Sequence, residues 1–460
     1  MGFTYSLAVI LVIFEGIIIQ CEGAPNQIED TTFLPNDVIE LIFSKTDFET
    51  IHGAIRSFIV PANNIVMSRI LQDHIIVFNP ELNDEIFECY VNADSLLMFG
   101  NYRRLESFFE RFGNQVKKIQ IDLAEDSNFQ SEKIIQNIFK KYAKNVEELR
   151  IVADDDKGFW EQILDGENCV TFPEVKKFQI EGISSRNELK INLIFPKLES
   201  FGLIGDVADV NCLTNVKGLK ELTLCTDSIR EDQLKDIFKN NANMTQIYLA
   251  EPKMAETMNS ISKHLKNLKT LEVVSPGENF LLRTNNNTVC KLPSVTEFVI
   301  RFEKMDEIFG IANLSFDMPN LRKLTLNGMK TDDRIINFIQ HFKELEILEL
   351  LLVEEYNGVN CIEKLKHIKE FTTDLHENGF DSLKSIFENF DKGSKLQTVK
   401  LLDRRETTFE KYEEEMEELN IKLKISMKPT WTQSKGVKIG TGLRYMMFKR
   451  NPCACMSCTE

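Results

Sequence analysis

Glycine and proline are scarce, 21 and 12 residues in a chain of 460. That excludes a collagen-like or low-complexity chain. The six histidines are spread thinly, and none is spaced as a metal pair. No Gly-rich phosphate loop, H-E-x-x-H or G-x-S-x-G occurs, so the expectation is no cofactor, no metal and no enzymatic activity. A net charge of −16 lacks the basic surface that general nucleic-acid binding needs. Basic residues concentrate at the end instead, with eight Lys/Arg and one acid between Ile421 and Glu460. A basic tail on an acidic body either folds back or is solvated.

Long apolar runs are also missing, with one short exception at the start. Leu7 to Ile19 reads LAVILVIFEGIII, 13 residues interrupted by Glu15. It is too short for a comfortable membrane span and suits a signal-peptide core. Cys21 and Gly23 are small residues placed for cleavage before Ala24, so export is expected; a short anchor or buried helix is the alternative. Three N-x-S/T sequons, at Asn243, Asn286 and Asn313, would then accept glycans. The ten cysteines are scattered except for Cys453, Cys455 and Cys458. Those three thiols make an incomplete zinc site and fit a local disulfide or disordered tail better.

What the chain does have is a motif, L-x-x-L-x-L in apolar character. It starts at Val116, Val146, Val175, Leu198, Leu219, Met244, Leu268, Val295, Leu321, Leu345, Ile368 and Leu396, at intervals of 21 to 30 residues. The second and third apolar positions share one face of a short strand. Between motifs the apolar residues follow helical spacing: Ile134, Ile135, Ile138, Phe139 and Tyr142; Leu234, Ile237 and Phe238; Ile335, Ile336, Phe338, Ile339 and Phe342; Leu383, Ile386, Phe387 and Phe390. The period falls in the range of leucine-rich repeats. The expected fold is an α/β leucine-rich-repeat solenoid of about 12 irregular repeats, with an inner parallel sheet and outer helices. The 33 phenylalanines belong to its core. Eight residues into the repeat, Asp154, Asp206, Asp227, Pro252, Pro276, Glu303 and Arg404 replace the usual family Asn or Cys. The array thus resembles the irregular, helix-rich type of intracellular binding proteins.

Residues alternating with the core positions should line the concave face. They include Lys118, Gln120, Asp122, Arg150, Lys177, Glu221, Tyr248, Glu272, Glu297, Arg301, Lys323, Glu349, Glu370 and Lys400. Such a mixture suits an unknown target protein, or a merely solvated sheet. Cys225-Thr226-Asp227 has the C-x-D form of some catalytic cysteines. It falls at the end of a repeat strand without a separate catalytic domain, and is read as coincidence.

Phe33 to Phe43, FLPNDVIELIF, resembles the start of an F-box. Pro35 suits a first helical turn, and Val38/Ile42 and Ile39/Phe43 are i,i+4 pairs. The resemblance implies that Leu34, Pro35, Val38, Ile39, Ile42 and Phe43 contact a Skp-family adaptor of cullin ubiquitin ligases. The second half departs from the family, with Pro61 and no tryptophan, so a helical cap for the solenoid stays open as the other reading. Signal peptide, F-box-like segment and irregular repeats together resemble secreted F-box/leucine-rich-repeat proteins of parasitoid-wasp venom. The implied organisation is a signal peptide (1–23), an F-box-like helical segment (24–80), a linker or cap (81–115), the solenoid (116–426) and a basic, Cys-containing tail (427–460).

Overall fold

The computed structural model describes residues 71, 74–79, 86–91, 94–123, 129–155, 170–183, 191–205, 213–225, 230–250, 254–274, 290–302, 316–328, 333–351, 367–374, 395–403, 431–437 and 444–450. Three strands come first: β1 (His74–Phe78), β2 (Ile86–Val91) and β3 (Asp94–Phe99). Each of the twelve motifs then contributes one strand, in chain order. These are β4 (Lys118–Leu123), β5 (Glu148–Asp155), β6 (Lys177–Ile183), β7 (Ser200–Ile204), β8 (Glu221–Cys225), β9 (Gln246–Ala250) and β10 (Thr270–Val274), followed past a short β11 (Cys290–Lys291) by β12 (Glu297–Arg301). After an equally short β13 (Phe316–Asp317) come β14 (Lys323–Asn327), β15 (Ile347–Leu351), β16 (Glu370–Asp374) and β17 (Thr398–Asp403). A final hairpin, β18 (Trp431–Val437) and β19 (Arg444–Arg450), completes the set.

The pairings run in one line, β2-β3-β1-β4 through β10, then β12, β14 to β17, β19 and β18. Among the described residues this is a 17-stranded sheet, with 14 strands parallel. Antiparallel β2 closes one end and the β18–β19 hairpin the other. These strands are the edges of the sheet among the described residues.

One unit teaches the rest. In Leu219-Lys-Glu-Leu222-Thr-Leu224, alternation along the strand sends Leu222 and Leu224 to the same side. Leu219 enters the core from the preceding turn. All three apolar positions of all twelve motifs are at most 3% exposed. Each buried side chain of this size contributes roughly 1.5–3 kcal/mol of transfer free energy. One of these positions is polar: Thr373 stands where the other motifs carry an aliphatic residue, and its buried hydroxyl has no hydrogen-bond partner.

Forked hydrogen bonds hold the repeats in register. The Lys117 carbonyl accepts from Glu147 N (2.7 Å) and Glu148 N (3.0 Å), and the pattern recurs at every step to Lys369, whose carbonyl accepts from Gln397 N and Thr398 N. Gly328 follows β14 with φ of +76°, where a Cβ would lie 2.3 Å from the Phe302 carbonyl oxygen; only glycine fits.

Helices α1 (Tyr102–Phe112), α2 (Phe129–Tyr142), α3 (Ile191–Ile194), α4 (Glu231–Asn240), α5 (Met254–His264) and α6 (Asp333–Gln340) occupy the outer side. The apolar stripes predicted for α2, α4 and α6 are helical there. The Leu383–Phe390 stripe lies outside the described residues. The short strands β11 and β13 make a two-stranded parallel pair. Phenylalanines bind this layer to the sheet: Phe178 stacks on Phe195 at 4.4 Å between centroids and touches Phe201. A second chain runs Phe298–Phe316–Phe338–Phe342. Asn241, 3% exposed, stitches α4 to the preceding repeat. Its Oδ1 accepts from Leu219 N, and its Nδ2 donates to the Val216 and Ile237 carbonyls, all at 2.9 Å.

The parallel sheet begins before the first motif. β1 lies within the segment read as F-box-like, and β2, β3 and α1 lie within the 81–115 linker. In register, Ile76 and Leu97 match Ile119, and Phe78 and Phe99 match Ile121. The residues at the first motif position are Asp73 and Asp94, and that substitution hides both strands from an apolar-triplet search. The basic tail folds back, since β19 pairs with β17.

Candidate functional site

The residues that alternate with the core form three columns on the concave face. Register aligns Lys118, Glu148, Lys177, Glu221, Glu297, Lys323 and Glu370 in the first. The second holds Gln120, Arg150, Gln179, Gly202, Thr223, Tyr248, Glu272, Val299, Thr325, Glu349, Thr372 and Lys400. The third holds Asp122, Val152, Glu181, Ile204, Cys225, Ala250, Val274, Arg301 and Asn327. All fourteen residues expected on this face, Lys118, Gln120, Arg150, Lys177, Tyr248, Glu272, Arg301, Lys323 and Glu349 among them, sit in these columns.

They gather into three groups. Toward the N-terminal end, Arg150 pairs with Glu181 at 3.1 Å and donates to Gln120 at 3.4 Å, while Gln120 donates to Asp122 at 2.9 Å. Burial pushes the Asp122 carboxyl above its ordinary pKa, against the Gln120 hydrogen bond and the Arg150 charge.

In the middle, Tyr248 and Cys225 are hydrogen-bonded neighbours, with Glu272 and Arg301 beyond. Arg301 Nε lies 2.6 Å from Glu272 Oε1, at ion-pair distance but without the alignment of a hydrogen bond. Burial, then the neighbouring Cys225 and Glu272, pushes Tyr248 up to about 12. Burial also raises the Cys225 thiol, the wrong direction for a nucleophile. Toward the C-terminal end, Lys323 bridges Glu297 (2.8 Å) and Glu349 (3.8 Å), and Thr325 donates to Glu349 at 2.8 Å. Burial works against the Lys323 charge, but the Glu297 hydrogen bond and the two carboxylates outweigh it and the ammonium titrates above its usual value.

These groups can clamp polar and apolar side chains of a ligand. Ala250 and Val274 supply apolar surface beside Tyr248, and half-buried Tyr and Arg are the side chains that anchor protein interfaces. Lys177 is tied to Glu148 at 3.2 Å. Lys118 borders an open depression of about 430 Å³ shared with Lys117, Glu147, Glu148, Lys176 and Lys177. Among the described residues no group of His, Cys, Asp and Glu could hold a metal.

Sequence reasoning missed Glu181, and weighed Cys225 only as part of a C-x-D triplet and not as a member of this face. Both lie six residues after a motif start, as Asp122 and Arg301 do, and that offset is the signal that finds them. Of the sequon asparagines, Asn243 is exposed and its Oδ1 accepts from Asn267 Nδ2 at 3.1 Å. Asn286 and Asn313 lie outside the described residues, as do Leu34, Pro35, Val38, Ile39, Ile42 and Phe43. No helix among the described residues is long and apolar enough to cross a membrane.

No family model matches the chain, and no curated protein does. Among solved structures, an internalin (inlF) from Listeria monocytogenes is similar at 11% identity and a TM-score of 0.27, covering 64% of this chain and 82% of that one. At that TM-score the likeness carries no argument, and the solenoid rests on its own strand register.

Proposed function

We propose that the chain is a secreted, non-enzymatic protein-binding adaptor. Its concave sheet holds a target protein, and its F-box-like segment docks a Skp-family adaptor in a recipient cell, redirecting or competing with cullin ubiquitin ligases. The observation that carries the binding role is the central group on the concave face. There Tyr248, apolar Ala250 and Val274, and the Glu272–Arg301 pair stand together on a rigid hydrogen-bonded sheet. Export rests on the Leu7–Ile19 run, and adaptor docking on the Leu34-Pro35 corner with its i,i+4 apolar pairs.

Pull-down with a purified Skp adaptor tests the docking, with wild type against Leu34→Ala/Pro35→Ala. Saturable binding lost in the double variant supports it. Folded wild type that does not bind leaves a secreted binding module whose segment serves only as a cap. An intact N-terminus on cytosolic protein would instead indicate an intracellular substrate receptor.

A further inference from the structure

The rim where each strand begins carries one residue per repeat, immediately after the motif start. In chain order these are Lys117, Glu147, Lys176, Glu199, Lys220, Thr245, Lys269, Thr296, Arg322, Glu346, Lys369 and Gln397. At both ends the column alternates in sign and pairs: Lys117–Glu147–Lys176 (3.0 and 3.4 Å), Lys220–Glu199 (2.8 Å) and Lys369–Glu346 (2.7 Å). From Lys220 to Arg322 it contains no acid.

Lysines collect beside that acid-free section. Lys217, Lys239, Lys263, Lys266 and Lys269 are all exposed, and none has an ion pair among the described residues. They occupy the turns leading into β8, β9 and β10. Those turns are fixed one above another by backbone bonds of Thr245 N to Lys220 O (2.7 Å) and Lys269 N to Thr245 O (2.8 Å). Helix ends explain part of the set, since Lys239 and Lys263 sit in last turns where cations complement the dipole. Lys266 donates to the Ser262 carbonyl. Lys217 and Lys269 have no such role.

We infer that this edge binds a linear polyanion, and specifically a sulfated polysaccharide. Five rungs from Lys220 to Arg322, at about 4.8 Å each, make an edge of roughly 20 Å. Asn243 and Asn267, exposed between the lysines, offer neutral hydrogen-bonding groups for hydroxyls. The turns 213–220, 239–246 and 263–270 contain no Phe, Tyr or Trp on which a base would stack. The one exposed large apolar residue among those described, Leu193, lies elsewhere, so the patch has nothing to insert into a bilayer. His264 sits in the middle of it. Its pKa is lowered by burial and then by Lys263, Lys235, Lys239 and Lys266, which places four cations around one ring. A glycan on Asn243 would occupy the same edge.

The test is calorimetric titration of the full chain, produced without glycosylation so that the edge is bare, with heparin in 0.15 M salt. Binding should weaken about ten-fold in Lys263→Glu/Lys266→Glu and fall steeply with salt, while Lys369→Glu at the paired end stays within about two-fold of the parent. The imidazole resonances of His264 should titrate at higher pH with heparin bound, while those of His367 do not move. Absence of heparin binding by the folded parent, or equal losses in both variants, overturns the inference. So does binding of phosphatidylserine vesicles or single-stranded RNA of equal charge as tightly as heparin.

Discussion

The two faces of the inner sheet come from the same strands and obey different rules. On the core side every motif position is filled to the same depth, Val116 through Leu401. On the concave side the column through Gln120, Arg150, Gly202, Tyr248, Val299 and Lys400 changes size, charge and polarity at almost every step. A side chain facing the core must complement the repeat above and below it, and one facing the concavity need not. The first face therefore holds the repeats together, and the second, apart from buried positions such as Val299, Thr325, Thr372 and Asn327, is open to meet something else.

Substitutions graded by face sharpen the contrast. The largest effect belongs to Phe178→Ala. It empties a site bounded by Phe195 and Phe201, and chemical denaturation should show a loss of about 3–5 kcal/mol. Asn241→Ala takes the side-chain partner from the Leu219 N–H and the Val216 carbonyl, while the Ile237 carbonyl keeps the backbone N–H of residue 241, and should cost about 2 kcal/mol. Thr373→Val runs the other way: removing an unpartnered hydroxyl from the core should raise stability by about 1 kcal/mol.

The smallest effect lies on the concave side. The folded pKa of Asp122 is raised, so its ionisation opposes folding. That penalty is absent below the unfolded value of 3.8 and grows as pH rises through the folded one. Asp122→Asn should therefore stabilise the chain at pH 7 and not at pH 3, as read from melting temperatures at the two values.

Much of the core face was legible in the sequence. Leu219, Leu222 and Leu224 announce a strand by spacing alone, and the stripe on α4 announces the helix beyond it. The spacing cannot show a strand whose opening residue is polar, which is why β1 and β3, behind Asp73 and Asp94, went unseen. The hairpin at the far end is hidden for another reason. β18 reads WTQSKGV, polar enough to pass for tail, and it is a strand because β19, itself paired to β17, supplies its hydrogen-bonding neighbour. On the concave face the membership of Arg150 and Arg301 was readable from alternation. Their partners were not, because the Arg150–Glu181 and Arg301–Glu272 pairs join residues about one repeat apart, and only the register fixes which side chains meet.

The division between the faces can be tested on neighbouring residues of one strand. Leu222, 1% exposed, and Thr223 are adjacent in β8 and point to opposite sides. Equilibrium unfolding of Leu222→Ala and Thr223→Ala should give a loss of about 2–5 kcal/mol for the first and a change within about 0.5 kcal/mol for the second. Equal losses at the two positions would contradict the division.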